Sequence, residues 1–385
     1  MTAESRPAEA TPSDALSARS TPARESERIA YLRTQAANAY RSYDPKNWIS
    51  AVVNTRGRSG HHVWQPLLWV LLVSVFAAWS ATDSEALGVP QRVWNRWLVK
   101  IRPVEQLLRL VISFLLVFRL GRSAQRYWEA RQKAGAMIEV CRVIASTATA
   151  HMTVGTDLDR LEHRIHWPTM KRDEAKEEAW MSTNCSPASA LCRWVVVFPI
   201  AAKNYLRGDG GDAKELDGLL SKGEVQELFD APNQCLYVLD TLRGLSAAWA
   251  SKAISSGACA EVVAQVFAAL TRQVDLLTGT FGGMERINNT PLPFVYVSHL
   301  RTSLTIYLTV VPIVYAPLWL WATPPLSLLV AWALLGIEAA AVECERPVRG
   351  CANHMPLEAF CAVVADNVRQ TLRHSASMGA RLRAR

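Results

Sequence analysis

The most constraining feature of this chain is the stretch from Val104 to Lys133, in which an apolar segment runs into an arginine-rich one with no proline between them. Its first part is apolar and close to the length that a helix needs to cross a bilayer. Leu110, Phe114 and Phe118 recur every four residues, so they lie on one helix face, with Ser113 beside them. The cations that follow are Arg119, Arg122, Arg126, Arg131 and Lys133. This pattern predicts a membrane helix that ends in a cationic aqueous region, which suits the passage of anions better than an enzyme pocket.

The hydropathy of the chain is strongly segregated. Hydrophobic residues make up 50% of the 385 residues, and the mean hydropathy is +0.05 although 20% of the residues are charged. Apolar blocks towards both ends flank a polar middle. This arrangement is typical of a membrane protein with several spans and a large soluble insertion.

The net charge of +8 and the isoelectric point near 9.2 indicate an anionic partner. Nucleic acid, an anionic lipid surface and a small anion would each satisfy this charge. Because the cations cluster beside the apolar blocks, a lipid bilayer and small anions are favoured, and a nucleic-acid partner is not expected.

Motifs for metal binding or catalysis are absent from the sequence. The eight cysteines form no C-x-x-C pair, and there is no H-E-x-x-H, P-loop, G-x-S-x-G or Rossmann fingerprint. The adjacent His61 and His62 precede a membrane segment and fit a loop at headgroup level. We therefore expect no cofactor, no metal site and no catalytic residues.

Four segments are predicted to span the membrane. They are Val63 to Ala81, Val104 to Leu120, Pro291 to Trp321 and Leu326 to Ala341. Glu105 and Arg109 in the second segment, and His299 and Arg301 in the third, are unfavourable against lipid, so both segments should face the interior of a helix bundle. The short link between the last two segments predicts an antiparallel hairpin, and four spans place both termini on one side, which we assign to the cytosol.

The middle of the chain has the pattern of soluble helices. Helical spacing is clear from Glu224 to Leu245 and from Ala258 to Leu277, and strand alternation is absent. The predicted organisation is a disordered tail (1–28), N-terminal helices with the first two spans (29–120), a cytosolic helical domain (121–290), the third and fourth spans (291–341) and a cytosolic C-terminal segment (342–385).

Three segments carry motifs that together point to one family. FRLGRSAQRYWEAR (Phe118 to Arg131) contains a Phe-Arg pair followed by Arg-aromatic-Trp-Glu-x-Arg. Glu285 to Tyr315 contains a Pro-x-Pro start to the third span, and Gly336 to Gly350, followed by Asn353 to Cys361, covers the end of the fourth span. Together these segments resemble the hallmark, the third-span start and the fourth-span end of the bestrophin family of anion channels. Residues 150–215 show no such resemblance.

The resemblance implies an all-helical homopentamer with four transmembrane helices per subunit and a helical cytosolic domain. The second span of each subunit would line a central pore that conducts chloride or other small anions. Carried over residue by residue, its apolar neck falls on Leu110, Phe114 and Phe118, and a second constriction, the cytosolic aperture, falls on Val274. Calcium-gated animal members carry acidic residues where this chain has Arg346 to His354, so direct calcium activation is not expected.

Several interpretations remain open at this stage. The apolar stripe could be ordinary helix packing. Arg119, Arg126, Glu129 and Arg131 could bind ions, although structural Arg–Glu pairing near the pore is favoured. The predicted function is a passive anion channel in a membrane that the sequence does not identify. The alternatives are a non-conducting membrane scaffold or regulator on the same fold, and a membrane-bound enzyme, which the lack of catalytic motifs disfavours.

Overall fold

The computed structural model describes residues 60–82, 91–152, 186–348 apart from 209 and 217, and 354–383. The predicted disordered tail (1–28), the N-terminal helices predicted before the first span, and residues 153–185 lie outside these ranges. Within them the chain is helical and forms no β-sheet. The α-helices are α1 (Gly60–Thr82), α2 (Gln91–His151), α3 (Pro187–Arg207), α4 (Lys222–Asp230), α5 (Gln234–Ser255), α6 (Ala260–Asn289), α7 (Phe294–Trp319), α8 (Thr323–Glu345) and α9 (Leu357–Arg383).

The chain divides into two units. We call Thr55–Arg131 with Arg286–Met355 the apolar unit, and the described part of Gln132–Glu285 with Pro356–Arg385 the polar unit. Helix α2 is continuous from the first unit into the second, and its 61 residues correspond to a length of about 90 Å. The unbroken run from apolar to arginine-rich sequence is therefore one helix.

The start of α2 differs from the prediction. A loop was expected up to Pro103, but the helix begins at Gln91 and contains Pro103. A proline inside a helix removes one N–H donor and usually bends or ends it. Here the missing hydrogen bond is tolerated, and the predicted second span is the middle of a longer helix.

In the apolar unit, α1, α7 and α8 pack together with the first part of α2. The shared core contains Val70, Ile112, Leu116, Leu308 and Ala331. Many large side chains on the other faces are exposed, including Trp64, Leu72, Leu329 and Trp332. A soluble protein rarely exposes such an area of apolar surface, whereas a lipid bilayer covers it without cost.

Two segments of the described chain are long and apolar enough to cross a membrane. One is Val63–Thr82, and the other is the 52-residue segment Phe294–Glu345, which contains both α7 and α8. The second predicted span does not satisfy the same test, because charged residues interrupt it. The link between α7 and α8 is the 3-10 turn Leu320–Ala322, which is shorter and earlier in the chain than predicted. The two prolines after it belong to the first turn of α8, where their missing N–H groups are not needed.

The core of the polar unit is α3, which packs against α5 and α9. Nearly every residue of this helix is buried, from Ala188 to Leu206. The sequence analysis predicted no helix here, although the signals exist: Ser186 caps the N-terminus, Pro187 occupies the first turn, and Gly208 ends the helix with φ of +73°. Gly210 and Gly211 also have positive φ, so the chain turns after α3.

The other helices of the polar unit follow the predicted periodicity with different boundaries. The helical stretch from Glu224 to Leu245 is split into α4 and α5 around Pro232, and the Asn233 side chain caps the second helix by accepting from the Cys235 and Leu236 N–H groups. Ser221 and Glu224 form a reciprocal capping box at the start of α4.

Candidate functional site

The predicted neck residues lie on an exposed face of α2. Leu110, Phe114 and Phe118 are 68%, 64% and 53% exposed in the single subunit, whereas Ile112 and Leu116 of the same helix are buried in the core of the apolar unit. The Phe114 and Phe118 ring centroids are 5.1 Å apart. This face is apolar and is not covered by the described part of its own subunit.

Ser113 is exposed beside the two phenylalanines. Its hydroxyl donates to the Arg109 carbonyl at 2.8 Å, a common arrangement of serine in helices. The hydroxyl proton is therefore committed to the helix, and the oxygen lone pairs face outwards. The stripe of α2 stays predominantly apolar at this position.

Arg119 points away from the exposed stripe into the apolar unit, where it is completely buried. Its guanidinium lies 3.3 Å from a Glu338 carboxylate oxygen and 2.7 Å from a Glu345 carboxylate oxygen. Glu338 also accepts from Arg301 at 2.9 Å, and Glu345 accepts from the Leu292 N–H at 2.9 Å. A buried charge without partners would be very costly, so this network fixes α2 against α7 and α8 next to Phe118.

The network contains two residues to which the sequence analysis gave no role, Glu338 and Glu345. A signal was present, because Glu338 and Glu345, seven residues apart, lie on one face of a helix that is apolar up to Glu338. Ionisable residues in such a helix call for partners on a neighbouring helix. Only the packing identifies Arg119 as that partner.

The other predicted ion-pair residues have different partners. Arg126 donates to the backbone carbonyls of Ile287 and Thr290 at 2.5 and 2.8 Å, at the C-terminal end of α6, rather than to a carboxylate. A cation at this end also interacts favourably with the helix dipole. Glu129 forms an ion pair with Arg286 at 3.0 Å, and Arg131 is half-buried.

Val274, the predicted aperture residue, is only 1% exposed and packs inside the polar unit. A side chain covered this completely within its own subunit presents almost no surface to a pore. Leu276 lies on the same helix, α6, two residues further on and is 52% exposed. The exposed aliphatic residue in this part of α6 is therefore Leu276.

In the described part of the chain, no group of three or more His, Cys, Asp or Glu residues is arranged to hold a metal ion. Most of the segment after α8, residues 349–353, lies outside that description. At its end the His354 imidazole is 3.5 Å from the Glu343 carboxylate.

The comparisons with known proteins identify the family. The family described as bacterial/fungal bestrophin protein matches residues 40–370. This chain belongs to the bestrophin family. The resemblance noted in its sequence is thereby confirmed, and the bestrophin is an integral membrane protein.

Named relatives and a solved structure support this assignment. A voltage-dependent anion channel-forming protein of Synechocystis is 26% identical over 260 residues, which are 67% of the bestrophin and 74% of the relative. A Nostoc protein with the same description is 26% identical over 261 residues, again 67% and 74%. The crystal structure of a bacterial bestrophin homologue from Klebsiella pneumoniae matches 80% of this chain and 97% of its own, with 21% identity and a TM-score of 0.60. At this identity the structural match shows the fold alone.

Proposed function

We propose that this bestrophin is a passive anion channel for which chloride is the expected ion. The relatives from Synechocystis and Nostoc are described as anion channel-forming proteins. The observation that carries the proposal furthest is the exposed stripe of Leu110, Phe114 and Phe118 on a helix whose opposite side is fixed by a buried ion network. A helix held in this way can present apolar side chains to a narrow aqueous path.

The proposed assembly is a pentamer in which each subunit crosses the membrane four times. The segment Phe294–Glu345 is long enough for two crossings, and Val63–Thr82 supplies a third. The middle of α2 supplies the fourth. Of its charged residues, Glu105 and Arg119 are buried in the subunit and do not face lipid, whereas Arg109 is exposed next to Leu110 of the proposed neck. Five copies of the stripe around one axis would form the neck.

The chemistry of the neck suits anions. A ring of phenylalanines cannot replace the hydration of an ion, but the positive edges of the rings can face chloride. An apolar constriction can also close by losing its water, while fixed positive charge beyond it sets the preferred sign of the ion. Large, weakly hydrated anions should therefore pass more readily than small ones.

We assign the cytosolic aperture to Leu276 in place of Val274. The argument is the exposure of the two side chains, 52% against 1%. An aliphatic ring at this position would form a second apolar constriction. Substitution of Leu276 by Ala should change the current, whereas Val274→Ala should act only through packing and stability.

The decisive experiment is reconstitution of the full chain into chloride-loaded liposomes and planar bilayers. Wild-type protein should pass an anion current that does not require micromolar calcium. The double substitution Phe114→Ala and Phe118→Ala should raise the conductance or weaken the gating. The matched control is Phe76→Ala, which removes an equally exposed ring from α1 (57% exposed) and should leave single-channel behaviour unchanged.

Three results would contradict the proposal in different ways. Pentamers that pass no current would favour a non-conducting scaffold on the same fold. Unchanged conductance in the phenylalanine double variant would remove the assigned neck. Currents that vanish on calcium chelation would overturn the expected calcium independence.

A further inference from the structure

A second feature of α6, close to Leu276, bears on the sign of the ion that passes. The residues of this helix that are exposed at helical spacing include Gln265, Ala268, Arg272, Leu276 and Gly279. They form one continuous stripe, which we call the α6 stripe. If Leu276 forms the aperture, as proposed above, the charges on and beside this stripe are the nearest fixed charges to a passing ion.

Arg272 lies on the α6 stripe one turn before Leu276, and its side chain is exposed. Within the described residues its guanidinium has no hydrogen-bond or ion-pair partner. Arginine keeps its positive charge at every physiological pH. The stripe therefore carries an uncompensated cation beside the proposed aperture.

Asp275, the residue before Leu276, would oppose an anion, but its charge is compensated. Arg243 of α5 places its Nη2 atom 3.1 Å from the Asp275 carboxylate and 3.0 Å from the Thr278 hydroxyl. The other terminal nitrogen of Arg243 is 3.2 Å from Asp240 on its own helix. The guanidinium is thus held against α6 on the flank of the stripe, next to the one carboxylate that adjoins Leu276.

A partly exposed ion pair of this kind contributes little to stability. Its main consequence is electrostatic, because it neutralises a negative charge where an ion would pass. The aliphatic aperture itself does not distinguish anions from cations, so the preference for anions must come from fixed charges close to it.

We propose that Arg272 is the specificity-determining residue for anions at the Leu276 aperture, and that Arg243 supports it by neutralising Asp275. This inference rests on the proposed channel function. In a pentamer the arrangement is repeated five times around the axis, so each substitution changes five charges at once.

The test is the chloride-to-potassium permeability ratio, measured from the reversal potential of reconstituted channels under a KCl gradient. Arg272→Gln should lower the ratio by at least about threefold, the effect expected of a unit charge about 6 Å from the ion in water-like surroundings. Arg272→Lys keeps the charge and should keep the ratio. Lys252→Gln removes another exposed cation, on α5, and serves as the matched control without effect.

The supporting role of Arg243 is tested by a second set of variants. Arg243→Gln should also lower the ratio, and addition of Asp275→Asn to that variant should restore it. Asp240→Asn removes the other carboxylate bound by Arg243 and should leave the ratio unchanged. A role of Arg243 in packing alone would not be rescued by Asp275→Asn.

The outcomes separate this inference from the channel proposal. Wild-type pentamers without current would refute the channel itself. Wild-type channels with an anion current that Arg272→Gln leaves equally selective would overturn the inference and leave the channel standing. Arg272, Lys252, Asp240 and Asp275 have exposed side chains and Arg243 is half-buried, so a folded oligomer is expected in each case and is checked by size-exclusion chromatography.

Discussion

The two units of this bestrophin handle charge in different ways. In the polar unit the buried cations Arg193 and Lys203 pair with Glu224 and Glu215, whose side chains remain 28% and 21% exposed. In the apolar unit Arg119 pairs with carboxylates that are only 9% and 11% exposed. The first pairs keep part of their hydration, and the second are almost dry. The cost of losing one partner should therefore be much larger in the apolar unit.

The helix ends show the same contrast. In the polar unit α3, α4 and α5 each begin with a side-chain cap, from Ser186, Ser221 and Asn233. In the apolar unit α7 and α8 have no side-chain cap at their starts, and prolines occupy the first turn of α8. Helices in the polar unit are thus stabilised locally, whereas those of the apolar unit depend on packing and on the surrounding bilayer.

The largest expected effect is on the dry ion pairs. Arg119→Gln leaves two buried carboxylates with too few cations and should destabilise the protein by about 3–5 kcal/mol, as for other broken buried pairs. Arg243→Gln, which breaks an exposed pair, should cost about 0–1 kcal/mol. The measurement is the thermal midpoint of the detergent-solubilised protein. Equal midpoints for the two variants would erase the proposed difference between the units.

The next-largest effect is expected on stability when a buried leucine, rather than an exposed one, is replaced by alanine. Leu239 of the polar unit is 0% exposed, and Leu110 of the proposed neck is 68% exposed. Leu239→Ala should cost about 2–5 kcal/mol through the cavity it leaves. Leu110→Ala should alter conductance with little change in thermal midpoint. A stability loss at Leu110 as large as that at Leu239 would show that the stripe is packed against another element.

A smaller effect is expected at the cap of α4. Ser221→Ala removes the hydroxyl that accepts from the Glu224 N–H and donates to the Glu224 carboxylate, and it should lower the stability of the polar unit by about 1 kcal/mol. Ser251→Ala, at an exposed position inside α5, is the matched control and should be neutral. Limited proteolysis of the polar unit gives the readout, with faster cleavage expected near α4 in the first variant alone.

The smallest effect is a pH dependence in the polar unit. Burial tends to raise the pKa of Glu358, but its hydrogen bond to Arg207 is decisive and leaves this pKa below the ordinary value of 4.5. Since the folded-state pKa is the lower one, the pair stabilises the fold above about pH 4.5, and that contribution is lost as the pH falls through the folded-state pKa. The thermal midpoint of Glu358→Gln should lie below that of the wild type at pH 7 and approach it in acid. A gap that persists unchanged at low pH would refute this assignment.

Much of the fold could be predicted from local patterns. The sequence showed the apolar runs of α1, α7 and α8, and it showed no break where α2 passes from apolar to arginine-rich residues. Both could be predicted because hydrophobic length and helical period are properties of the residues themselves. Helix α3 was missed although its cap signals were present, because Arg193, Lys203 and Asn204 interrupt its apolar run, and only the packing shows that these polar residues are buried with the rest of the helix. Two helix boundaries also differ from the prediction. Helix α2 starts at Gln91 and continues through Pro103, whereas the predicted helical stretch from Glu224 to Leu245 is broken around Pro232.

The candidate site likewise contains residues that could be predicted from the sequence and residues that could not. The stripe of Leu110, Phe114 and Phe118 could be predicted, since a four-residue spacing places side chains on one helix face in any context. The choice between Val274 and Leu276 could not, because both are aliphatic and only the packing of α6 decides which one is covered. The partners of Arg119 were equally inaccessible, since they lie more than two hundred residues away.

The sequence by itself determined that this chain is helical, that parts of it belong in a bilayer and that an arginine-rich helix follows an apolar one. These properties follow from composition and period, which act over a few turns. Only the tertiary structure decided which charges are compensated: Arg119 by two buried carboxylates, Asp275 by Arg243, and Arg272 by none of the described residues. The reason is physical, because the effect of a charge depends on its solvent exposure and its distance from other charges, and both are set by packing between distant segments.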